Sequence, residues 1–146
     1  MSSVRGAALS LLGRRDYTAG ELRQRLIDKG HDKGEVDEQI ESLTADGSIN
    51  DARVAASHIR VSSQVKGRGR MRIRQELMAR GIAKSTIEAL LTEMPPEDED
   101  AAINKFLSRK RVPEQLDTPA RNRVFQQLMR KGFTAEAISK ALRHRE

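Results

Sequence analysis

The sequence LRQRLIDKGHDKGEVDEQIES, residues 22–42, decides the fold because the same pattern returns twice later in the chain. Residues 73–93 read IRQELMARGIAKSTIEALLTE, and residues 124–144 read VFQQLMRKGFTAEAISKALRH. Each copy begins 51 residues after the previous one, and the three copies align without a gap. A fixed period of this size is typical of a repeat protein built from one supersecondary unit.

Each copy predicts two helices joined by a glycine turn. Apolar residues at spacings of four and five, such as Leu22, Leu26 and Ile27, would lie on one face of the first helix. A glycine follows a basic residue in every copy, at Gly30, Gly81 and Gly132. Glycine ends a helix readily because it adopts the left-handed conformation without a steric penalty. The unit is a helix-turn-helix, which we interpret as a plain helical hairpin.

Capping residues and prolines predict where the other helices begin. Thr18 with Glu21 forms a capping box, and Asp51 is a suitable N-cap for a fourth helix. Ser85 marks the start of the sixth helix and Thr118 caps the eighth. We therefore predict nine helices and no strand, in three units that span residues 1–47, 48–94 and 95–146.

The predicted fold class is all-α, with three tandem three-helix repeats in an elongated, curved array. Hydrophobic residues make up 37% of the chain and charged residues 33%, which disfavours a single large core. Small helical units that share cores with their neighbours suit this composition better.

Composition also bounds the compartment. The chain has no cysteine, which fits a reducing environment, and no apolar run approaches the length of a membrane span. We expect a soluble, cytoplasmic protein that does not bind membranes and is a monomer.

Positive charge is concentrated in the second and third units. The chain carries a net charge of +6 and has a pI of about 10.1. Residues 1–50 have a net charge of −2, residues 51–96 of +5 and residues 97–146 of +3. This distribution favours a polyanionic partner or an acidic protein surface.

The residues do not suggest catalysis. The three histidines, His31, His58 and His144, are scattered and lack the spacing of metal ligands. Gly67-Arg68-Gly69 alone is too weak a signal for a phosphate-binding loop. We predict no catalytic residue, no metal and no cofactor, and interpret His58 as a hydrogen-bonded histidine on a partly buried face.

The main functional signal is a basic cluster around the start of the fifth helix. Cations are disfavoured at a helix N-terminus because the helix dipole is already positive there, and a partner anion would offset that cost. The third copy repeats two of the arginines, at Arg121 and Arg123. The alternative is a solvated charged face, and we favour binding. The cluster consists of Lys66, Arg68, Arg70, Arg72 and Arg74, with Arg80 one helix length further on.

Reading of DNA bases by a standard helix-turn-helix is disfavoured. That motif reads bases with its second helix. The second helix of the first copy carries four carboxylates, at Glu35, Asp37, Glu38 and Glu41, which would repel phosphate. Aromatic residues are only 3% of the chain, so few rings are available on which the bases of single-stranded DNA could stack.

Residues 47–91 contain a more specific pattern. GSINDARVAASHIR followed by KGRGRMRIRQELMARGI resembles the RecX family, whose members regulate the RecA recombinase. The resemblance rests on the Asn50-Asp51 pair, the Lys66-Gly67-Arg68-Gly69 loop and the R-I-R-x-E-L segment that starts at Arg72. The flanking repeats agree with it. The family commonly has a proline where Arg70 stands.

The resemblance implies a regulator of DNA repair, recombination and the SOS response. Such proteins bind within the groove of RecA filaments on single-stranded DNA and lower strand exchange, ATP hydrolysis and filament extension. The expected partner is therefore the RecA filament, with weak direct binding to single- or double-stranded DNA as a possibility. The predicted contact residues are the basic cluster above and, in the third copy, Arg121, Arg123, Arg130 and Lys131.

Two alternatives stay open at this point. A stand-alone basic DNA-binding module would need no recombinase and would lose affinity steeply with salt. A purely structural helical adaptor would be indifferent to charge reversal at Arg70, Arg72 and Arg74.

Overall fold

The chain is all-α throughout the part that the computed structural model describes, residues 3–145 apart from the side chain of His144. This confirms the predicted helical-repeat fold. No helix in this range is long and apolar enough to cross a membrane. The helices are α1 (Val4–Leu12), α2 (Ala19–Asp28), α3 (Lys33–Ala45), α4 (Asp51–Arg60), α5 (Arg70–Ala79), α6 (Lys84–Thr92), α7 (Pro96–Arg109), α8 (Thr118–Arg130) and α9 (Ala135–Leu142).

The glycine turns of the three copies have the predicted conformation. Gly30, Gly81 and Gly132 have φ angles of 94°, 80° and 95°, in the left-handed region. In the first turn, the His31 amide donates to the Leu26 carbonyl at 3.2 Å, and the equivalent bonds are present in the other copies. This Schellman pattern satisfies carbonyls that the end of the helix leaves unpaired.

Three separate hydrophobic cores follow one another along the chain. The first core is built from α1–α3 around Leu22, Leu26 and Leu43, and Ile49 also packs into it. The second core draws on α4–α6 and the third on α7–α9. Ile49 thus belongs to the first core although it lies two residues beyond the predicted boundary at residue 47. The division into 1–47, 48–94 and 95–146 therefore stays a proposal.

Three of the predicted helix starts are wrong. Asn50, not Asp51, caps α4, by accepting the Arg53 amide at 3.0 Å. Asp117, not Thr118, caps α8, and α6 begins after Ala83 without a side-chain cap, so Ser85 lies inside the helix. In the first two cases the predicted cap directly follows another residue that caps helices equally well, Asn50 before Asp51 and Asp117 before Thr118. The sequence alone does not decide which of two such neighbours is the cap.

The fourth helix ends in a π-helical segment, Val61–Val65, which the sequence pattern did not predict. Wider turns of this kind occur mostly as short segments, frequently at functional sites. The segment precedes Gly67, whose φ of 64° turns the chain toward α5. It also contacts α7, so it forms part of the boundary between the second and third units.

The first two units meet at a joint formed by residues 18–20 and residues 80–81, here called the first joint. The Thr18 hydroxyl donates to the Arg80 carbonyl at 2.6 Å. The Ala19 amide donates to the Asp51 carboxylate at 2.8 Å, so Asp51 serves the joint instead of capping its own helix.

The second joint repeats this arrangement 51 residues later, between residues 69–71 and residues 131–132. The Gly69 amide donates to the Lys131 carbonyl at 2.8 Å, in the place of the Thr18 hydroxyl. The Arg70 amide donates to the Glu99 carboxylate at 2.8 Å, as Ala19 does to Asp51. The regular 51-residue period therefore reflects a repeated contact between units as well as a repeated unit.

Candidate partner-binding surface

The predicted basic residues lie in the second and third units, around α5 and on or after α8, and the two groups meet at the second joint. Five of the arginines lie on or beside α5, where each has a carboxylate of the same chain within 4 Å. Arg121, Arg123 and Arg130 lie on α8, and Lys131 follows that helix. The sequence predicted a main contact around α5 and a second contact in the third copy, and the structure gives the individual cations of each contact different surroundings.

Arg70 holds the second joint together. Its guanidinium donates to the carbonyls of Leu91 and Met94 at 3.1 and 3.2 Å, at the C-terminal end of α6. Its amide binds Glu99, a carboxylate that is only 7% exposed. A buried carboxylate needs such donors because desolvation of an unpaired charge is costly. Proline at this position could not make the amide bond.

Glu76 is the centre of a polar network on the second unit. Its carboxylate forms an ion pair with Arg68, lies 3.0 Å from His58 Nε2 and accepts the Ser62 hydroxyl at 3.2 Å. Arg72 lies 3.7 Å away. Burial raises the pKa of Glu76, but the hydrogen bond from His58 and the charge of Arg68 outweigh it, so the pKa lies below its ordinary value.

The other two arginines of this region are also paired. Arg74 binds Glu88 through two nitrogens, the second at 3.2 Å, and its hydrogen bond lowers the pKa of Glu88. Arg80 binds Glu21 of the first unit at 3.0 and 3.1 Å, across the first joint. Burial raises the pKa of Glu21, but the hydrogen bonds from Arg80 and the Thr18 amide, together with the charges of Arg80 and Arg15, lower it below its ordinary value.

The ion pairs of the α5 arginines bear on the prediction that was based on the helix dipole. The sequence suggested that a partner anion offsets the cations at the start of α5. In the structure Glu99, Glu76 and Glu88 supply negative charge to Arg70, Arg72 and Arg74. The cluster therefore stabilises the fold on its own, and its contact with a partner stays a prediction.

Lys66 differs from its neighbours. It is exposed and, within the described residues, has no carboxylate within 4 Å. It lines a groove of about 470 Å³ between the π-helical segment and α7, together with Lys105, Arg109, Lys110 and Lys131. The groove depends on the distance between the π-helical segment and α7, which the sequence does not give. The α7 residues that line the groove were therefore not predicted as contact residues.

The cations of α8 likewise include one that is bound within the fold and two that are exposed. The Arg121 guanidinium donates to the Leu142 carbonyl at 2.7 Å, repeating the bond from Arg70 to Leu91 that lies 51 residues earlier. Arg123 and Arg130 are exposed and line a shallow depression with Asn122, Gln126 and Gln127. These five residues form a polar face of α8 whose side chains are suited to contacting phosphate or carboxylate oxygens.

No group of three or more potential metal ligands occurs among the described residues. His58 is half-buried and hydrogen-bonded to Glu76, as predicted from its position. The exposed lysines and arginines of the surface can bind anionic groups by non-covalent contacts.

Comparison with known proteins relates most of the chain to one family. Residues 5–43 match the family model for the first three-helix domain of RecX, and residues 50–91 match the model for the second. The chain is 36% identical to the regulatory protein RecX of Halorhodospira halophila, over 95% of this chain and 86% of the relative. It is 34% identical to that of Chromohalobacter salexigens, over 98% and 93%.

Other relatives differ in length. The chain spans 51% of the RecX protein of Geobacillus kaustophilus, to which it is 34% identical over 92% of its own length. The crystal structure of RecX from Lactobacillus salivarius superposes with a TM-score of 0.84 and 22% identity, over 96% of this chain and 92% of that one. A second RecX crystal structure gives the same TM-score at 24% identity, over 96% and 70%.

Proposed function

Because this chain belongs to the RecX family of regulatory proteins, we propose that it binds RecA filaments on single-stranded DNA and lowers RecA activity. Family membership is the observation that carries the proposal. The activities affected are strand exchange, ATP hydrolysis and filament extension. The proposed role is regulatory and non-enzymatic, and the protein acts in the cytoplasm.

The repeated joint supports this proposal physically. Two joints of the same design set three units in a defined relation, so that basic surfaces on separate units keep a fixed spacing. A filament presents the same surface repeatedly, and several spaced contacts raise the affinity for such a partner by effective concentration.

We assign the contact to cations without an internal carboxylate. Lys66 and Lys131 line the groove, and Arg123 and Arg130 line the polar face of α8. Among the other predicted residues, Arg70 and Arg80 bind carboxylates of the neighbouring units and so hold the units in position for that contact. Arg68, Arg72, Arg74 and Arg121 are bound within their own units.

The first test is RecA ATPase activity on single-stranded DNA, titrated with this protein. The wild-type protein should lower the rate at a small fraction of the RecA concentration. Arg123→Glu/Arg130→Glu should need about tenfold more protein, since each exposed charge contributes on the order of 0.5–1 kcal/mol and reversal also adds repulsion. Arg25→Glu/Lys29→Glu, on the first unit, should match the wild type.

Unchanged ATPase activity together with no co-sedimentation of the wild-type protein with filaments would overturn the proposal. Charge reversal does not disturb the fold at either pair of positions, since these side chains are exposed and make no ion pair among the described residues. A circular dichroism melt of each variant checks this point.

A stand-alone DNA-binding role is the second candidate, and the polar face of α8 favours it. Glutamine and asparagine beside two arginines form the kind of surface that contacts a phosphate backbone. Binding of DNA alone, with a steep loss of affinity as salt rises and no effect of RecA, would support this candidate over the first.

A further inference from the structure

The groove at the second joint combines an apolar floor with a basic rim. The apolar part of its lining, here called the floor, consists of Val65, Ala101, Ala102 and Phe106, and its volume is about 470 Å³. The basic part, here called the rim, consists of Lys66, Lys105, Arg109, Lys110 and Lys131. Val65 is 77% exposed, more than any other large hydrophobic residue among those described. A concave surface lined by apolar side chains with a few polar groups is the usual form of a ligand site, and Val65 is part of such a lining.

The π-helical segment creates this exposure. The wider turn runs from Val61 to Val65, and the Lys66 amide closes it by donating to the Val61 carbonyl at 3.0 Å. Val65 therefore does not join the second core, whose nearest member in the chain is Ile59. The segment instead faces α7 of the third unit across the groove.

The charge on the rim is largely uncompensated. Lys66, Lys105, Arg109 and Lys110 have no carboxylate within 4 Å among the described residues. The groove lining contains five cations, these four and Lys131, against one carboxylate, Asp98. The arginines of α5, only a few residues away, are paired with glutamates, so the positive field at this joint comes from the groove.

We propose that this groove binds an acidic peptide segment of a partner protein, with one apolar side chain of the segment seated against Val65 and Phe106. Carboxylates of the segment would reach the lysines and arginines on the rim. The proposal rests on the proposed function for the identity of the protein that carries the segment. The chemistry of the segment follows from the groove alone.

Charge and apolar contact together favour a peptide over a nucleic acid strand. Single-stranded nucleic acid is held by aromatic rings on which bases stack. Phe106, the aromatic residue in this lining, packs against the third core, and the Lys131 ammonium lies 5.4 Å from the centre of its ring. Val65 and the two alanines offer an aliphatic surface, which suits a leucine or phenylalanine side chain better than a base.

The test uses the full chain and three fluorescent probes, measured by anisotropy. The first probe is a twelve-residue peptide of aspartate and glutamate with one central phenylalanine. The second has serine in place of that phenylalanine, and the third is an oligothymidylate of the same net charge. We expect the first probe to bind about tenfold more tightly than the second, since the groove buries most of an aromatic side chain.

Two charge-reversal variants decide where the probe binds. Lys105→Glu/Arg109→Glu reverses two exposed cations in the last turns of α7 and should weaken the first probe by tenfold or more. Arg25→Glu/Lys29→Glu reverses two exposed cations with the same spacing at the end of α2 and should leave binding unchanged. Both changes have a similar effect on the helix dipole, so the comparison isolates the groove.

Three outcomes would overturn the proposal: equal binding of the first two probes, equal effects of the two variants, or an oligothymidylate that binds as tightly as the first peptide and loses affinity in the groove variant. No probe contains recombinase. A failure of the RecA assay therefore leaves peptide binding intact, and a failure of peptide binding leaves regulation of RecA intact.

Discussion

Glu76 shows how a single carboxylate organises the basic surface of the second unit. It contacts Arg68 of the loop, His58 of α4 and Ser62 of the π-helical segment, while Arg72 approaches from its own helix. Without this carboxylate the arginines would repel one another and the half-buried His58 would lose its partner. Glu76 therefore both pairs with arginines of the basic cluster and joins the three segments that carry its partners.

We predict that Glu76→Gln lowers the free energy of unfolding by about 1–2 kcal/mol at pH 7, since it removes hydrogen bonds to a charged group. Its effect should depend on pH. Because the folded-state pKa of Glu76 is lowered, its stabilisation is present above the ordinary glutamate pKa and is lost as pH falls through the lowered value. Urea unfolding between pH 7 and pH 3 measures both effects.

The variant should accordingly lose less stability than the wild-type protein on acidification. Glu38→Gln, at an exposed glutamate with no ion pair among the described residues, is the control and should follow the wild-type curve. Parallel pH curves for Glu76→Gln and the wild type would contradict the assigned role of this carboxylate.

At the scale of elements, two turn glycines that look equivalent in the sequence are needed for different reasons. Gly30 and Gly132 occupy equivalent positions and have φ angles of 94° and 95°. A Cβ at Gly30 would meet nothing within 4 Å, whereas a Cβ at Gly132 would overlap the backbone and Cβ of Arg72. One glycine serves only its turn, and the other also lets two units approach.

We therefore predict a large difference between Gly30→Ala and Gly132→Ala. Gly30→Ala should lower the free energy of unfolding by about 1–2 kcal/mol, the cost of placing a side chain in the left-handed region. Gly132→Ala adds a steric overlap at the second joint and should lower it by at least twice as much. Denaturant unfolding of the two variants makes the comparison.

Limited proteolysis provides a second measurement of the same prediction. Gly132→Ala should speed cleavage near residues 66–69, which pack against the third unit at this joint, while Gly30→Ala should not. Equal stability losses with unchanged cleavage would mean that the close approach of the two units contributes little.

At the scale of the whole molecule, three small cores are linked by polar joints rather than merged into one. Phe133 and Leu26 are fully buried in the third and first cores, respectively. In a linear array each unit contacts only its neighbours, so a local loss of stability spreads over a short range.

We predict that Phe133→Ala speeds amide hydrogen exchange mainly in residues 95–145, with a smaller effect in α4–α6 and the least in α1–α3. Removing this ring should cost about 3–5 kcal/mol locally. Leu26→Ala should give the reverse order. Exchange followed by mass spectrometry reports the pattern, and uniform acceleration along the chain in both variants would indicate a single cooperative unit instead.

The sequence by itself determined the class of fold, the repeated unit and the glycine turns. These features depend on local periodicity and on backbone conformations that few residues other than glycine adopt readily, and both can be read within about twenty residues. The pattern of residues 47–91 also indicates the family without reference to the tertiary structure.

Only the tertiary structure decided which charges are available to a partner. The arginines of the clearest basic cluster in the sequence proved to be paired with Glu76, Glu88, Glu99 and Glu21, while the cations at the end of α7 indicated only a helix C-terminus in the sequence. The reason is physical: the field around an arginine depends on which carboxylate another element brings within 4 Å, and that distance is set by how the units meet.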